Sequence, residues 1–520
     1  MVYMLSLEKP ARGGEFFDRE EELKHILEYI TRGEHTVVIG LRKVGKTSIL
    51  FRLIDVLADN YIVFYYYVPE TSNMDILFSD IKSNFLTILA DSAEPHEVPE
   101  TIIERYPQIS REVLRFVRLE SKAHNFKTML ELMDSITKKL DKRFVFILDE
   151  FQNIVNIERS LMDYIRQAIW STHNTVFVFC GSAIRMIEDI LTGDSSIQGL
   201  RRIKIRPFDF EKAREFMIRL SRKTLGETHI AFLYYITGGM PFHIKAIIKS
   251  LNVMPIEKVS WRAIAKVLEE ELFQDTGILY NYYNAQEIKL RSKSPLYPEI
   301  LYQISQGNTR LSQIAAALNR EPQDLNHYVR RLREMDIIDE NNIINDGLFA
   351  IWFKTTWYLT NKMPIIRVRD RYRAFQKRIN EIIQTYKTYM GYTVELIIRE
   401  LVGRFDNRRL STGEILPRFD VVISNARIND VEIDLLCIRG KNTWVIEIKS
   451  GPLTESDIIE FYEKTQKIPH NITKRIIIAL HTISSEALEK ANGLGIEIWD
   501  RQRVRTLLRI FGIPITKPFF

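Results

Sequence analysis

Three small sets of residues have the types and spacing to do chemistry. The first is Gly40-Leu-Arg-Lys-Val-Gly45-Lys46-Thr47, a G-x-x-x-x-G-K-T stretch followed directly by Ser48. Glycines let such a backbone curl so that several N–H groups face one phosphate chain, at the positive end of the next helix. Lys46 is spaced to reach the β- and γ-phosphates and Thr47 to hold a metal, so ATP and Mg²⁺ are the expected cofactors. The second set is Asp149-Glu150, which ends the apolar run Phe144–Leu148. Ligands of open α/β sheets bind at that carboxyl end. There Asp149 serves Mg²⁺ through water and Glu150 polarises the attacking water; a simple cap on the next helix is the alternative. Ser182, closing another apolar run from Thr175, is placed to meet the γ-phosphate or that water; a plain strand-end turn is the alternative.

The third set is Asp434, Glu447 and Lys449, on two alternating strands joined at Gly440-Lys441. A glycine-first two-residue turn suits a hairpin, and that register puts Asp434 opposite Glu447, with Lys449 on the same face. Charges on an otherwise apolar hairpin are costly unless paired or bound to metal. Facing carboxylates suit Mg²⁺ or Mn²⁺. Such a metal activates water for attack on a phosphodiester, with Lys449 positioning the water or stabilising the developing charge. A salt-bridged surface ladder is the other reading.

The elements that must position these groups follow from pattern. Thr36–Ile39 reads as a buried strand, and the segment after Thr47 has helical apolar spacing. Farther on, Pro298–Gln306, Leu311–Leu318 and Pro322–Met335 read as three amphipathic helices, with a turn of two short strands after Ile337. This has the form of a winged helix-turn-helix. Its third helix offers Gln323, Asn326, His327 and Arg330 to a DNA groove, with Arg331 or Arg333 on phosphates; protein packing is the competing role. Arg367–Arg378 carries six basic residues in twelve with Tyr372 and Phe375 interleaved, a phosphate-tracking stretch or a solvated linker helix.

Composition limits the rest. The 520 residues allow several domains, and 45% apolar with 27% charged residues is ordinary for a globular chain. A net charge of +6 excludes a polycation, although basic residues cluster locally. Cys180 and Cys437 lie far apart in apolar runs and read as buried reduced thiols. No segment spans a bilayer and the start lacks the pattern of a secretory signal, so a cytoplasmic protein is expected.

The N-terminal half resembles the archaeal ATPase family, an AAA+-type group close to the STAND signalling ATPases. The resemblance rests on Phe-Phe-Asp-Arg-Glu-Glu-Glu-Leu at 16–23, the phosphate loop, Leu148-Asp-Glu-Phe-Gln152, the Cys180-Gly-Ser182 strand end, Ser196–Arg202, Pro207–Phe216 and Gly238-Gly-Met-Pro241. It implies a P-loop core, a helical lid opened at Pro241, a winged helix and a tendency to assemble as a homo-oligomer. It also implies an arginine reaching a neighbour's nucleotide, Arg201 or Arg202, although Leu200 stands where the family more often has arginine. An ordinary surface role for both arginines stays open. There is no clear lid arginine; His243 and Lys245 are the nearby candidates.

The C-terminal third is similar to the PD-(D/E)xK nuclease superfamily through Asp434, Glu447 and Lys449, with Ile433 in place of the proline. That resemblance implies a glutamate on the preceding helix: Glu395, or else Glu400. Gln466 on the following helix is a possible assistant, and Gly495–Leu508 resembles the closing strand and helix. The expected α/β architecture is a P-loop AAA+ core over 1–206, a helical lid over 207–290 and a winged helix over 291–345. A basic linker region over 346–385 and a restriction-endonuclease-like domain over 386–520 follow. The expected function is that of an ATP-regulated, metal-dependent DNA nuclease in defence, mobile-element processing or repair. The alternative is a nucleotide-switch regulator that binds DNA without cutting it.

Overall fold

The computed structural model describes residues 16–70, 72–90, 98–182, 199–363, 367–428, 431–449 and 451–513. They form two compact units, Met1–Leu225 with Leu233–Phe375, and Gly226–Phe232 with Gln376–Phe520.

The first unit is built on five parallel strands: β1 (Thr36–Ile39), β2 (Tyr61–Tyr67), β3 (Arg143–Asp149), β4 (Thr175–Gly181) and β5 (Arg201–Lys204), in the order β2-β3-β4-β1-β5. Both faces of a parallel sheet are covered, so its strands must be apolar on both sides. On β3, Phe144, Phe146 and Leu148 enter one core, and Val145 and Ile147 the other. The first core is rich in aromatics: Phe64 stacks on Phe146 with centroids 5.1 Å apart, and Phe85 meets Phe144 edge to face at 5.6 Å. The order sets β4 between the strand bearing the phosphate loop and the strand bearing Asp149.

Helices follow the sheet. Phe210–Leu220 is capped by Asp209, which accepts from the Lys212 N–H. Pro241 stands at the first position of Pro241–Val253, where its missing N–H is not needed. Gly239 before it has φ +73, and its N–H/C=O edge lies against Phe208: a Cβ there would fall 2.0 Å from the Phe208 carbonyl oxygen. Only glycine fits.

After Trp261–Phe273 and Ile278–Lys293 come Leu296–Ser305, Leu311–Ala317 and Pro322–Glu334, within one or two residues of the spans read from the sequence. The turn expected after Ile337 is closed, among the described residues, by an antiparallel bridge from Ile338 to Ile344. Arg333 is fixed into this turn by two bonds to Asn342 Oδ1 (3.0 and 2.6 Å), and Asn342 donates to the Thr309 carbonyl.

One helix, Val368–Gly403, runs through both the basic stretch and the helix expected to carry Glu395 or Glu400. Gly391 has open space around it, and a single glycine costs a helix only about 1 kcal/mol, too little to break it. In the second unit a small hairpin, β6 (Arg408–Arg409) and β7 (Ile415–Leu416), precedes a mixed sheet. Its strands are β8 (Val421–Ile428), β9 (Val431–Arg439), β10 (Asn442–Lys449), β11 (Ile472–Ala479) and β12 (Ile496–Asp500), ordered β12-β11-β10-β9-β8. β8, β9 and β10 are antiparallel, and β11 and β12 join parallel through the helices Glu455–Gln466 and Ser485–Gly493. One face packs on Val394, Ile398, Leu401, Val504 and Leu507; the other packs on Ile458, Phe461, Ala487 and Ala491.

Both cysteines are free and buried, and burial pushes the Cys437 thiol up to about 12. Among the described residues no helix is long and apolar enough to cross a membrane.

Candidate functional sites

The phosphate loop links β1 to the helix Lys46–Leu57. It turns through left-handed conformations at Lys43 (φ 63) and Gly45 (φ 105). Gly40 is required for a different reason: a Cβ there would lie 2.5 Å from the Ile205 carbonyl, where the chain leaving β5 passes the loop. The buried Lys46 ammonium donates to the Gly40 and Leu41 carbonyls at 2.9 and 3.0 Å, closing the loop on itself. Thr47 Oγ1 donates to Asp149 Oδ2 at 2.9 Å, which joins the two ends of the expected metal site. Ser48 stands next in the helix, half-buried.

Asp149 is 1% exposed and has two further donors, the Tyr65 hydroxyl at 3.0 Å and the Glu150 N–H at 3.0 Å. Burial, then the charge of Asp149, hold the Tyr65 phenol far above its usual range, so it stays a donor. Glu150 leaves the strand with φ 51, which turns its side chain away from the direction of β3. Its Oε2 accepts from Ser182 Oγ at 2.8 Å and from the Gln152 amide. Ser182 is thus an orienting partner of Glu150. Tyr65 and Gln152 were not singled out from the sequence.

A carboxylate and a hydroxyl in contact beside a loop that binds phosphates suit Mg²⁺, which keeps several waters and takes few protein ligands.

The other candidates of this unit are dispersed. Pro241 opens its helix, and Met240 just before it lines a cavity of about 470 Å³ beside the phosphate loop. His243 is buried, its Nε2 3.1 Å from both the Tyr283 hydroxyl and Asp346 Oδ2, so it belongs to a packing network. Lys245 is buried as well. Arg201 makes a two-pronged pair with Glu34 (2.9 and 2.7 Å), and Arg202 is exposed beside it; Ser196 to Gln198 lie outside the described residues. Both arginines begin β5, level with Thr36 and Val37, at the end of the sheet away from the phosphate loop. Gln323, Asn326, His327, Arg330 and Arg331 are exposed on one helix, and Arg331 also lines the cavity by the phosphate loop.

In the second unit the hairpin turns at Gly440, φ 57, with Lys441 not left-handed, as a glycine-first turn requires. The register is the one read from the sequence, from Asn442 with Arg439 to Ile446 with Leu435. There the ladder stops. Asp434 turns its carboxylate between the strands, and Oδ2 accepts the Ile448 N–H at 2.6 Å. Glu447 is 7% exposed; its Oε1 accepts from Lys464 at 3.3 Å, and its Oε2 is buried without a partner. Burial first, and then the charge of Asp434, raise the Glu447 pKa above 4.5. Burial likewise raises Asp434.

Glu395, on the long helix, is raised by burial and then by Asp434, so it too lies in the range of this pair. Its hydrogen bond comes from Asn425, a residue held at φ 50 in β8. Glu400 pairs instead with Arg404. Lys449 lies 3.3 Å from Asp457 Oδ1. Lys464, not Gln466, is the residue of the Glu455–Gln466 helix that meets the site.

Among the described residues no group of three or more acidic, histidine or cysteine side chains converges as a metal cage. Two carboxylates, one with an orphaned buried oxygen, still fit a Mg²⁺- or Mn²⁺-type ion that keeps most of its waters.

A parallel sheet with G-x-x-x-x-G-K-T after β1 and an acidic pair after β3 defines a P-loop nucleotide-binding domain. Residues 16–247 match a family of ATPase domains found predominantly in Archaea, and this segment is a Walker-type ATPase domain of that family. Two curated relatives are uncharacterized proteins. One, from Methanocaldococcus jannaschii, is 22% identical over 473 residues, covering 86% of this chain and 90% of its own length. The other, an ATP-binding protein from Pyrococcus abyssi, is 25% identical over 358 residues, covering 62% of this chain and its entire length. Among solved structures, a Walker-type ATPase of Pyrococcus abyssi superposes with a TM-score of 0.50 at 20% identity, over 67% of this chain and 99% of its own. That likeness is one of fold.

Proposed function

We propose that the chain is an ATP-binding and ATP-hydrolysing DNA-processing protein whose C-terminal domain cuts DNA with a divalent cation. The ATP half is supported by the loop, the Thr47–Asp149 contact and Glu150 held by Ser182, and by the ATP-binding relative from Pyrococcus abyssi. The nuclease half is carried by one observation: a buried Glu447 oxygen without a partner, beside a second raised carboxylate, Asp434. An unpaired buried acceptor costs free energy, and natural sites retain such a group where a ligand completes it.

In this reading Asp434 and Glu447 hold Mg²⁺ or Mn²⁺, which supplies charge neutralisation and a polarised water. Lys449 and Lys464 flank the pair with positive charge that favours a phosphodiester and its developing negative charge. Glu395 helps order the waters next to Asp434. Gln323, Asn326 and Arg330 face solvent from one helix and supply the DNA contact, and Arg202 serves the interface of a homo-oligomer.

A second reading is favoured by a different observation. Lys449 is paired with Asp457 and Lys464 with Glu447, as in a salt-bridged surface that binds no metal. The protein would then be a nucleotide-switched DNA binder that leaves the strand intact.

A cleavage assay on single-stranded, duplex and branched DNA, with Mn²⁺ and with or without ATP, separates the two. Asp434→Asn and Lys449→Ala should each remove metal-dependent cleavage and leave ATP turnover, and Lys46→Ala should remove turnover. Cleavage that survives both C-terminal changes, or a wild-type protein that binds DNA and cuts none of the three, rejects the nuclease.

A further inference from the structure

The cavity of about 470 Å³ beside the phosphate loop is walled on one side by Arg42 of the loop and by Gln152 and Ser182, the two donors to Glu150. Other lining residues come from helices well beyond the ATPase match. Ile278–Lys293 contributes Lys289 and Lys293, one turn apart on one face, and Pro322–Glu334 contributes Arg331.

Four carboxylates share the lining: Glu70, Glu334, Asp336 and Asp346. The partners of Glu70, Glu334 and Asp346 fix their use. Glu70 accepts from Arg42 at 3.3 Å and from Lys289; Glu334 accepts from Arg331 at 2.8 Å; Asp346 accepts the Tyr283 hydroxyl and the Phe349 N–H. Lys293 has no carboxylate within ion-pair distance among the described residues. Burial lowers its pKa, and Lys289, then Arg331 and Arg42, lower it further against the pull of Glu70.

Like charges gathered along one cavity repel one another and favour the arrival of a multivalent anion. Arg42 and Lys289 already converge on one surface carboxylate, Glu70, which shows how an anion is held at this place. The cavity adjoins the side chains that orient Glu150, so the anion within reach is the far end of a nucleotide seated in the loop.

We propose that Lys289, Lys293 and Arg331 clasp the terminal phosphate of ATP within the same chain, making the site selective for triphosphate over diphosphate, with Glu70 occupying Lys289 and Glu334 occupying Arg331 when that phosphate is absent. The proposal rests on the reading of the loop as an ATP site. It gives the three-helix module a direct hold on the nucleotide and supplies the cations that the lid lacks.

The test is calorimetric binding of ADP and of a non-hydrolysable ATP analogue, each with Mg²⁺, to the full chain. Lys289→Gln/Lys293→Gln and, separately, Arg331→Gln should weaken the triphosphate analogue by about tenfold or more and leave ADP within about twofold. Glu70→Gln should tighten the analogue by a few-fold, an opposite change that misfolding does not mimic. Equal loss of both nucleotides, or no loss of either, overturns the clasp, as does an unchanged or weakened analogue in Glu70→Gln. A wild-type chain that binds neither nucleotide instead rejects the ATP reading itself, and Lys46→Ala, which should lose both, marks that failure.

Discussion

Removing the Ser182 hydroxyl probes how the ATPase site is held. Glu150 leaves β3 with φ 51, so the strand does not aim its carboxylate; Ser182 and Gln152 do, both donating to Oε2. A hydrogen bond to a charged group contributes about 1.5–3 kcal/mol, or roughly ten- to a hundredfold in rate if it is fully used in the transition state. Gln152 still donates after Ser182→Ala, so that change should lower kcat by about tenfold, the bottom of the range. Gln152→Ala should act similarly. The double change leaves Oε2 with no donor and should cost more than the product of the singles, with a coupling of roughly 1 kcal/mol or more. ATP turnover at saturating substrate, beside nucleotide binding measured separately, reads the effect. If Ser182→Ala weakens ATP binding as much as turnover, the hydroxyl contacts phosphate and not Glu150. If the double variant is no worse than either single one, the two donors do not share a carboxylate in the working enzyme.

Two other perturbations follow from the geometry. Gly239→Ala puts a Cβ 2.0 Å from the Phe208 carbonyl at φ +73, and should cost about 3 kcal/mol or more from the left-handed strain and the displaced backbone bond. A wild-type urea midpoint for that variant would show that the Phe208–Gly239 approach is not retained in solution. Glu447→Gln concerns pH. Because the folded pKa of Glu447 is raised, its charged form opposes folding at neutral pH, and that cost is relieved as pH falls through the raised value towards 4.5. The glutamine variant should therefore be more stable near neutrality, by on the order of 1 kcal/mol, with the gain shrinking on acidification, while the Mn²⁺-induced rise in Tm disappears. A variant that is less stable at neutral pH, or that keeps the Mn²⁺ shift, contradicts the account of this pair.

What the sequence made legible was local. Gly40 to Thr47 lie within eight residues, and a two-residue turn sets the hairpin register as far as Ile446 with Leu435, one pair short of the expected Asp434 with Glu447, so both patterns could be read largely without tertiary information. Tyr65 and Asn425 were hidden because their roles come from long-range packing. Tyr65 meets Asp149 across 84 residues, and Asn425 reaches Glu395 only from a left-handed position inside a strand. Lys464 was closer to hand. Ile458, Phe461 and Thr465 are the buried stripe of the Glu455–Gln466 helix, and the same 3.6-residue period sets Asp457 and Lys464 together on one flank and Gln466 on the other. Arg331 could not have been assigned from its helix alone. A basic residue on such a helix faces a groove or a cavity according to what the module packs against, which no local spacing records.

The two acidic sites solve opposite problems with the same side-chain chemistry. Asp149 accepts from Thr47, Tyr65 and the Glu150 N–H, so its charge is compensated before any ligand arrives. A metal on the Thr47 hydroxyl oxygen can leave the bond to Asp149 in place, with Asp149 reaching it through water, and it gains enough only when phosphate oxygens complete its shell, which ties metal binding to the nucleotide. Glu447 has one cation at 3.3 Å and a second oxygen with nothing to accept from, beside a carboxylate that repels it. A cation there displaces only a long lysine contact and removes a repulsion already present, so its binding needs no nucleotide. Under the proposed nuclease reading, any control of the C-terminal site by ATP therefore has to act on access of DNA to it, not on whether the site can hold a metal.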